Sequence, residues 1–332
     1  MRVLVTGVAG FIGSSVAKRL LNDGIDVIGI DNLNDYYDVN LKHDRLKDLE
    51  NDKFTFLRGD ISDKDFVYDV YRDYIPNYVV HLAAQAGVRY SLENPDAYIQ
   101  SNVIGTYNIL EACRHYPVTR LLYASSSSVY GSNTKVPFEE TDRVDNPVSL
   151  YAATKKSNEL MAQTYSHLYD IDAIGLRFFT VYGPKGRPDM AYFGFVDKYF
   201  NNESIQIFND GDFTKDLYRD FTYIDDIVEG IINLLYCENS SGHEVYNIGN
   251  NTPVKLMDFI TILENSLSKS MNYNIEFDKK YEPIKPGDVP ATYASTDKLF
   301  NVTGYKPKTI LSEGLQKFTD WYVLYYGKAK KL

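Results

Sequence analysis

Short apolar runs recur along the first half of the chain, at residues 2–6, 26–30, 54–58, 78–84 and 120–124. They lack the strict apolar/polar alternation of a half-exposed sheet, so they read as strands buried on both faces, the habit of parallel sheets. Between the first two runs, Ser14-Ser15-Val16-Ala17-Lys18-Arg19-Leu20-Leu21 is an amphipathic helical stretch stopped by Gly24. Residues 101–115 and 149–169 also read as helices. Strands alternating with helices predict an α/β fold with a doubly wound parallel sheet over residues 1–178. A second, smaller substrate-binding domain is expected over 179–332, with part of 220–238 returning to the first.

The first strand runs into Gly7-Val8-Ala9-Gly10-Phe11-Ile12-Gly13. In such a strand–glycine turn–helix unit Gly7 permits the sharp turn, Gly10 lets backbone approach a pyrophosphate, and Gly13 allows close helix-to-strand packing. The helix start at Phe11 and Ile12 supplies unpaired N–H groups and the positive end of the dipole. Taken alone the triplet is also compatible with an ordinary loop. The second strand ends in Asp31, 18 residues after Gly13, where a carboxylate accepts hydrogen bonds from ribose hydroxyls. A carboxylate there repels a 2′-phosphate, and the neighbouring Asn32 brings no compensating charge, so NAD is favoured over NADP. Asp60 and Ile61, after the third strand, are placed to meet an adenine edge. The unit is a Rossmann dinucleotide site.

The fourth strand runs through Leu82 and ends in Ala83-Ala84, small residues that allow its backbone near a ligand; His81 within it is a core histidine. The fifth strand ends in Ser125-Ser126-Ser127-Ser128. Ligands bind at the carboxyl ends of such strands, so the run reads as a hydrogen-bonding lip and not a linker. Tyr151 and Lys155 follow at helical positions i and i+4 and share one face. A phenol with a pKa of about 10 is a poor base at neutral pH, and a neighbouring ammonium favours its phenolate.

Composition narrows the partners. Lys and Arg total 35 against 45 Asp and Glu, a net charge of -10 that argues against a nucleic-acid groove. The five histidines show no metal-ligand spacing, so no metal is expected. Two distant cysteines, Cys113 and Cys237, fit a reducing compartment. No apolar run reaches the roughly 18 residues that span a bilayer, so a cytoplasmic protein without a membrane partner is expected.

Further stretches carry a family resemblance: Ile30-Asp31-Asn32-Leu33-Asn34-Asp35-Tyr36-Tyr37-Asp38-Val39, His81 through Arg89, Leu176 through Pro184, Gly186-Arg187-Pro188-Asp189-Met190, Arg219 through Asp226, and Pro286 through Pro290. On these the chain resembles the extended short-chain dehydrogenase/reductase family, the nucleotide-sugar epimerase and dehydratase group. More narrowly it is similar to UDP-glucuronate 4-epimerases of the capsular-polysaccharide type. The 34–38 and 186–190 segments are the more selective. The resemblance implies an NAD-dependent epimerase passing through a transient 4-keto sugar, a UDP-sugar substrate and a homodimer formed through the helices at 101–115 and 149–169.

Position by position, the resemblance makes Tyr151, Lys155 and Ser126 catalytic and Asn102 cofactor-proximal. It puts Ser127, Ser128, Thr180, Arg89, Arg187, Arg219 and Asp288 on the substrate side, and Arg177 and Asp225 in structural roles. Lys185 and Lys285 depart from the family pattern. The group's dehydratases place Asp-Glu at the positions of Ser127 and Ser128, and its decarboxylases place Glu at Ser128, so both activities are disfavoured. A UDP-glucose/UDP-galactose 4-epimerase and a non-catalytic NAD-binding sensor remain as alternatives.

Overall fold

The computed structural model describes the 332-residue chain except residues 216, 239–241, 284–290 and 329–332. The first half alternates strand and helix: β1 (Arg2–Thr6), α1 (Phe11–Asn22), β2 (Asp26–Asp31), α2 (Val39–Lys47), β3 (Phe54–Arg58), α3 (Lys64–Tyr74) and β4 (Tyr78–His81). Two one-turn helices, α4 (Tyr90–Glu93) and α5 (Pro95–Tyr98), lead through a π-helical stretch at Ile99–Gly105 into α6 (Thr106–His115). Then come β5 (Arg120–Ser126), a 3₁₀ turn at Ser127–Tyr130, α7 (Leu150–Tyr169) and β6 (Ala173–Phe178).

The second half holds β7 (Thr180–Tyr182), α8 (Ala191–Phe200), β8 (Ile205–Phe208), β9 (Tyr218–Tyr223), α9 (Ile224–Tyr236) and β10 (His243–Ile248). It ends with β11 (Pro253–Lys255), α10 (Leu256–Met271), β12 (Lys279–Glu282), β13 (Ala291–Thr292), α11 (Asp297–Thr303) and α12 (Leu311–Tyr325).

Seven strands form the main sheet in the order β10-β6-β5-β4-β1-β2-β3, all parallel. Period-two alternation sends Val3 and Val5 into one apolar cluster and Leu4 into another on the opposite face. Helices cover both faces, which is why these strands are continuously apolar. The strand order reverses direction between β1 and β4, and the crevice at such a switch point is where open α/β sheets bind ligands. β10 joins the sheet beside β6, and α9 packs against α1, where Arg19 and Glu229 pair.

Outside this sheet, β11, β9, β13 and β7 make a four-stranded sheet, and β12 pairs with β8. Asp220 on β9 ties the second half together: its buried carboxylate accepts the N–H groups of Asn250 (2.8 Å), Asn251 (3.0 Å) and Ala294 (3.1 Å). The neighbouring acid that anchors the C-terminal part is Asp226, bound by Tyr305 Oη and the N–H groups of Lys308 and Thr309. Asp225, assigned a structural role from sequence, is exposed, because the first turn of α9 points it to solvent.

The expected helix at 101–115 also differs at its start. Residues 99–105 take the wider π-helical turn before α6 begins. At its end Gly105 lies so close to Ile61 that an added Cβ would meet its Cδ1 at 2.4 Å.

Candidate active site

The two loops at the switch point touch. Gly7 has φ +70°, and an added Cβ would stand 2.7 Å from the backbone N of Ala83. At Gly13 an added Cβ would come within 2.1 Å of the Gly7 carbonyl oxygen. The turn is therefore possible only with glycine at both places. Helix α1 opens at Gly10 with no side-chain cap and no acid in its first turn, leaving the N–H groups at Phe11 and Ile12 open to an anion. The Phe11 side chain is in the core, so only its backbone serves this purpose.

Asp31 is buried at the end of β2 and is held by the N–H groups of Ala9 (3.1 Å, Oδ2) and Leu33 (2.9 Å, Oδ1). Each carboxylate oxygen keeps a second lone pair for a ribose hydroxyl. Asn32 turns to Asp60, donating to Oδ2 at 2.8 Å, while Ser62 donates from N (2.8 Å) and Oγ (2.7 Å) to Oδ1. Burial raises the Asp60 pKa, and these bonds outweigh it, holding the carboxyl below its ordinary value. Ile61 is buried beneath Gly105, and Leu82 and Ala83 bond back to Thr6 through its carbonyl and its hydroxyl. Ala84 follows, partly exposed. This cradle, narrow where a pyrophosphate needs backbone and acidic where a ribose needs an acceptor, fits NAD.

His81 is the core histidine expected, bonded to Thr6 Oγ1 (2.7 Å) and Thr106 Oγ1 (3.0 Å). Burial, then the nearby Lys155, push its pKa down to about 3, so it stays neutral. Asn102 is fully buried: its amide bonds the Gln85 N–H (2.8 Å), the Gln85 carbonyl (3.0 Å) and Thr154 Oγ1 (3.1 Å). It thereby fixes the loop after β4 to the helix carrying Tyr151.

The serine run divides. Ser125 and Ser126 close β5 and point to opposite faces, as strand geometry requires. Ser125 Oγ donates to Glu159 at 2.7 Å, so it is not part of the lip expected from sequence. Ser126 Oγ accepts the Ser128 N–H (3.1 Å), and its hydroxyl lowers the pKa of Tyr151. Accepting one backbone N–H leaves the Ser126 hydroxyl proton free to donate. Ser127 starts the 3₁₀ turn, and Ser128 Oγ is buried with no hydrogen-bond partner among the described residues.

Tyr151 stands at the start of α7, where Ser149 caps Ala152 N–H. Burial raises its pKa, and the Ser126 hydrogen bond and the Arg187 charge pull it back. The sequence reading credited Lys155 with this lowering. Lys155 Nζ instead donates to the Ala124 carbonyl (3.0 Å), and burial brings its own pKa down to about 7. Arg187 is a cation that lowers the phenol's pKa.

Among the other substrate-side residues, Thr180 opens β7 opposite Phe221. Arg187 grips Asp189 through Nε (3.0 Å) and Nη2 (2.8 Å), and Tyr36 Oη donates to the same carboxylate at 3.3 Å. Arg89 is exposed, its guanidinium 5.8 Å from the centre of the Phe208 ring. Arg219 lies on β9 and donates to the Tyr218 carbonyl at 2.7 Å. Asp288 and Lys285 lie outside the described residues. Lys185 sends its side chain away to Asp48, while its carbonyl accepts from Arg45.

Sequence reasoning missed Arg45, Asp189, Tyr36, Tyr37 and Glu159. For Arg45 a signal exists: Leu41, Arg45 and Leu49 recur every four residues and all three are about 1% exposed, an arginine inside an apolar stripe.

Comparison with known proteins agrees with this construction. Staphylococcus aureus Protein CapI is 52% identical over 344 residues, spanning 99% of this chain and 100% of that protein. Arabidopsis thaliana UDP-glucuronate 4-epimerase 4 is 46% identical, over 99% of this chain and 77% of that one. The crystal structure of Bacillus cereus UDP-glucuronic acid 4-epimerase in complex with UDP-glucuronic acid and NAD superposes with a TM-score of 0.89 at 34% identity, covering 98% of this chain and 100% of that chain. Residues 3–249, including every residue of the glycine turn and the Tyr151–Lys155 pair, match one family, and the chain belongs to it: the NAD dependent epimerase/dehydratase family.

Proposed function

We propose that this protein is an NAD-dependent UDP-glucuronate 4-epimerase, interconverting UDP-glucuronate and UDP-galacturonate through a transient 4-keto sugar. The observation that carries the reading is the partly buried Tyr151, its phenol pKa raised by burial and drawn back down by the Ser126 hydroxyl and the Arg187 charge, on the helix that Asn102 ties to the loop of an NAD-shaped cradle. UDP-glucuronate 4-epimerases among the similar proteins support the acidic sugar. Gly7, Gly10, Phe11, Ile12, Gly13 and Asp31 would hold the cofactor, with Asn32, Asp60, Ile61 and Leu82 to Ala84 around its adenosine and Asn102 behind it. When bound, NAD supplies a hydride acceptor that returns what it takes.

Tyr151 Oη, as phenolate, takes the proton of the sugar's 4-hydroxyl and later gives it back. Ser126 stabilises the phenolate by donating to it, and Lys155 orients the site from the Ala124 carbonyl. A 4-keto sugar with a carboxylate on carbon 5 is a β-keto acid, prone to losing carbon dioxide when the breaking bond aligns with the ketone π system. Ser127, Ser128 and Thr180 hydrogen-bond the carboxylate and hold it out of that alignment; the buried unpartnered Ser128 Oγ suits this role. Arg187 and Arg89 supply positive charge, while Arg219 and Asp288 serve the nucleotide side.

Residues 1–178 act with α9 and β10 as the NAD-binding unit, and the rest as the substrate unit. Exposed Tyr107, Leu160, Leu168 and Tyr169 on α6 and α7 support a homodimer across those helices, and the two free cysteines support a cytoplasmic location.

The test is turnover of UDP-glucuronate by purified protein without added NAD, with the sugar product identified by NMR. UDP-galacturonate is expected; turnover of UDP-glucose alone selects the neutral-sugar epimerase, and no turnover of any UDP-sugar overturns the enzyme reading. Tyr151→Phe should lower the rate on the order of 10²–10⁴-fold. Wild-type rate in that variant ends the phenolate assignment, and an unchanged sugar preference in Thr180→Ala ends the carboxylate assignment.

A further inference from the structure

The two most selective sequence segments, 34–38 and 186–190, are far apart in the chain, and they meet in space both directly, at Tyr36 and Asp189, and through one side chain that neither contains. Arg45 reaches from α2 and donates Nη1 to the Ala9 carbonyl (2.9 Å) and to Tyr37 Oη (2.6 Å). Its Nη2 donates to the carbonyls of Lys185 (2.6 Å) and Gly186 (3.1 Å), and Nε again to Lys185 (3.1 Å). The guanidinium lies 5.4 Å from the centre of the Tyr37 ring.

Arg45 is 1% exposed, and among the described residues no carboxylate pairs with it. A buried cation without an anion is costly if it serves only as packing, since an apolar residue of similar size fills space at no electrostatic cost. What an arginine fork offers in return is geometry: rigidly spaced donors that fix several acceptors at once. Here the acceptors belong to two loops. Ala9 precedes Gly10, which opens α1, and Lys185 and Gly186 directly precede Arg187.

The far end of the same loop is held from the same segment, because Tyr36 donates to Asp189, the carboxylate that orients Arg187. Tyr36 is itself fixed, its hydroxyl so close over Gly87 (φ +99°) that an added Cβ there would meet it at 2.6 Å.

We propose that Arg45 is a positioning residue which, with Tyr36 and Tyr37, clamps the 185–189 loop to the phosphate-binding turn and so sets the position of the Arg187 guanidinium. The role rests on the UDP-glucuronate reading only in its benefit to an acidic sugar; the placement is a property of the protein alone. The groups around Tyr151 are Arg187 and Asp189 from this loop, the Ser126 hydroxyl from β5, the Tyr98 ring of α5 with its centre 6.0 Å from that of Tyr151, and Lys155 one turn along its own helix. Of the two charges in the loop, Arg187 has the larger effect on the phenol. Loosening the loop therefore lets the phenol's pKa rise.

The experiment uses the purified holoenzyme with Arg45→Lys, which keeps the charge and loses the fork, and with Tyr37→Phe, which removes one hydroxyl. Two readouts are taken: the pH dependence of kcat/KM for UDP-glucuronate, and the ionisation of Tyr151 without substrate, measured as an ultraviolet difference titration against Tyr151→Phe in each background. In Arg45→Lys, kcat/KM should fall on the order of 10–100-fold, with its acidic limb and the Tyr151 titration both displaced to higher pH. Tyr37→Phe should show the same displacement in smaller measure. A lower Tm with the limb and the titration unmoved overturns the proposal, leaving Arg45 a fold stabiliser. If Arg45→Lys fails to fold, an unmoved titration in Tyr37→Phe overturns it. If wild type does not turn over UDP-glucuronate, the substrate reading fails separately, and the titration still decides the placement.

Discussion

Two of the buried arginines, Arg177 and Arg45, have surroundings that differ in kind. Arg177 on β6 faces a carboxylate: Nε and Nη2 meet Glu159 at 2.8 and 2.9 Å, and Nη1 meets Tyr130 Oη at 3.0 Å. Its charge is cancelled where it stands, and the pair ties the sheet to α7, the helix that carries Tyr151 and Lys155. Arg45 faces carbonyls, and its charge is shared among backbone dipoles of two loops, at Ala9 and at Lys185 and Gly186. The first arrangement fixes a scaffold. The second registers where two loops lie relative to each other, so the same residue type contributes to stability in one place and to alignment in the other.

The comparison is broken most forcefully at Glu159. Glu159→Gln leaves Arg177 buried with a neutral partner and should lower stability by about 3–5 kcal/mol, read as a fall in Tm. Burial raises the Glu159 pKa, but Arg177 and Ser125 hold it below its ordinary value. A depressed folded-state pKa means the ionised carboxylate stabilises the fold at pH values above the unfolded pKa of about 4.3. That stabilisation is lost as pH falls through the folded value, so the Tm gap between wild type and Glu159→Gln should shrink on acidification below roughly pH 4.

A middle-sized effect is expected at the loop that Arg45 holds. An added Cβ at Gly186 would lie 1.7 Å from Tyr192 Oη, so Gly186→Ala should cost about 1–3 kcal/mol and slow turnover by displacing Arg187. Tyr192→Phe removes the clashing atom and should recover part of the loss when combined with it, a non-additive pair measurable by denaturant unfolding. The smallest effect is expected at Lys185→Ala. That side chain makes a partly exposed ion pair with Asp48, and the carbonyl Arg45 uses is unchanged, so stability should shift by about 0–1 kcal/mol with kcat/KM unaltered.

Features written in consecutive residues were legible in the sequence. The glycine turn is local geometry, and the close approaches at Gly7 and Gly13 are what its spacing implies. Asp31 at the end of β2 is equally local. The serine run was legible only in part, because four identical letters hide the alternation that gives Ser125 to Glu159 and Ser126 to Tyr151. Between Asp225 and Asp226 the letters are again the same, and only helix phase separates the exposed acid from the anchoring one. Lys155 and Arg187 show a different gap. Spacing placed Lys155 on the same helix face as the phenol, but Arg187, whose charge lowers the phenol's pKa, comes from a loop whose position depends on contacts across 140 residues. Such contacts leave no periodic mark.

The place of β10 at the edge of the main sheet bears on how the chain is made. Until residue 248 leaves the ribosome, the outer edge of β6 has no neighbour, and the Phe179 N–H lacks its acceptor, the Ile248 carbonyl. A nascent chain arrested before that point carries an adhesive strand border, and completing the nucleotide-binding layer waits on translation of most of the polypeptide.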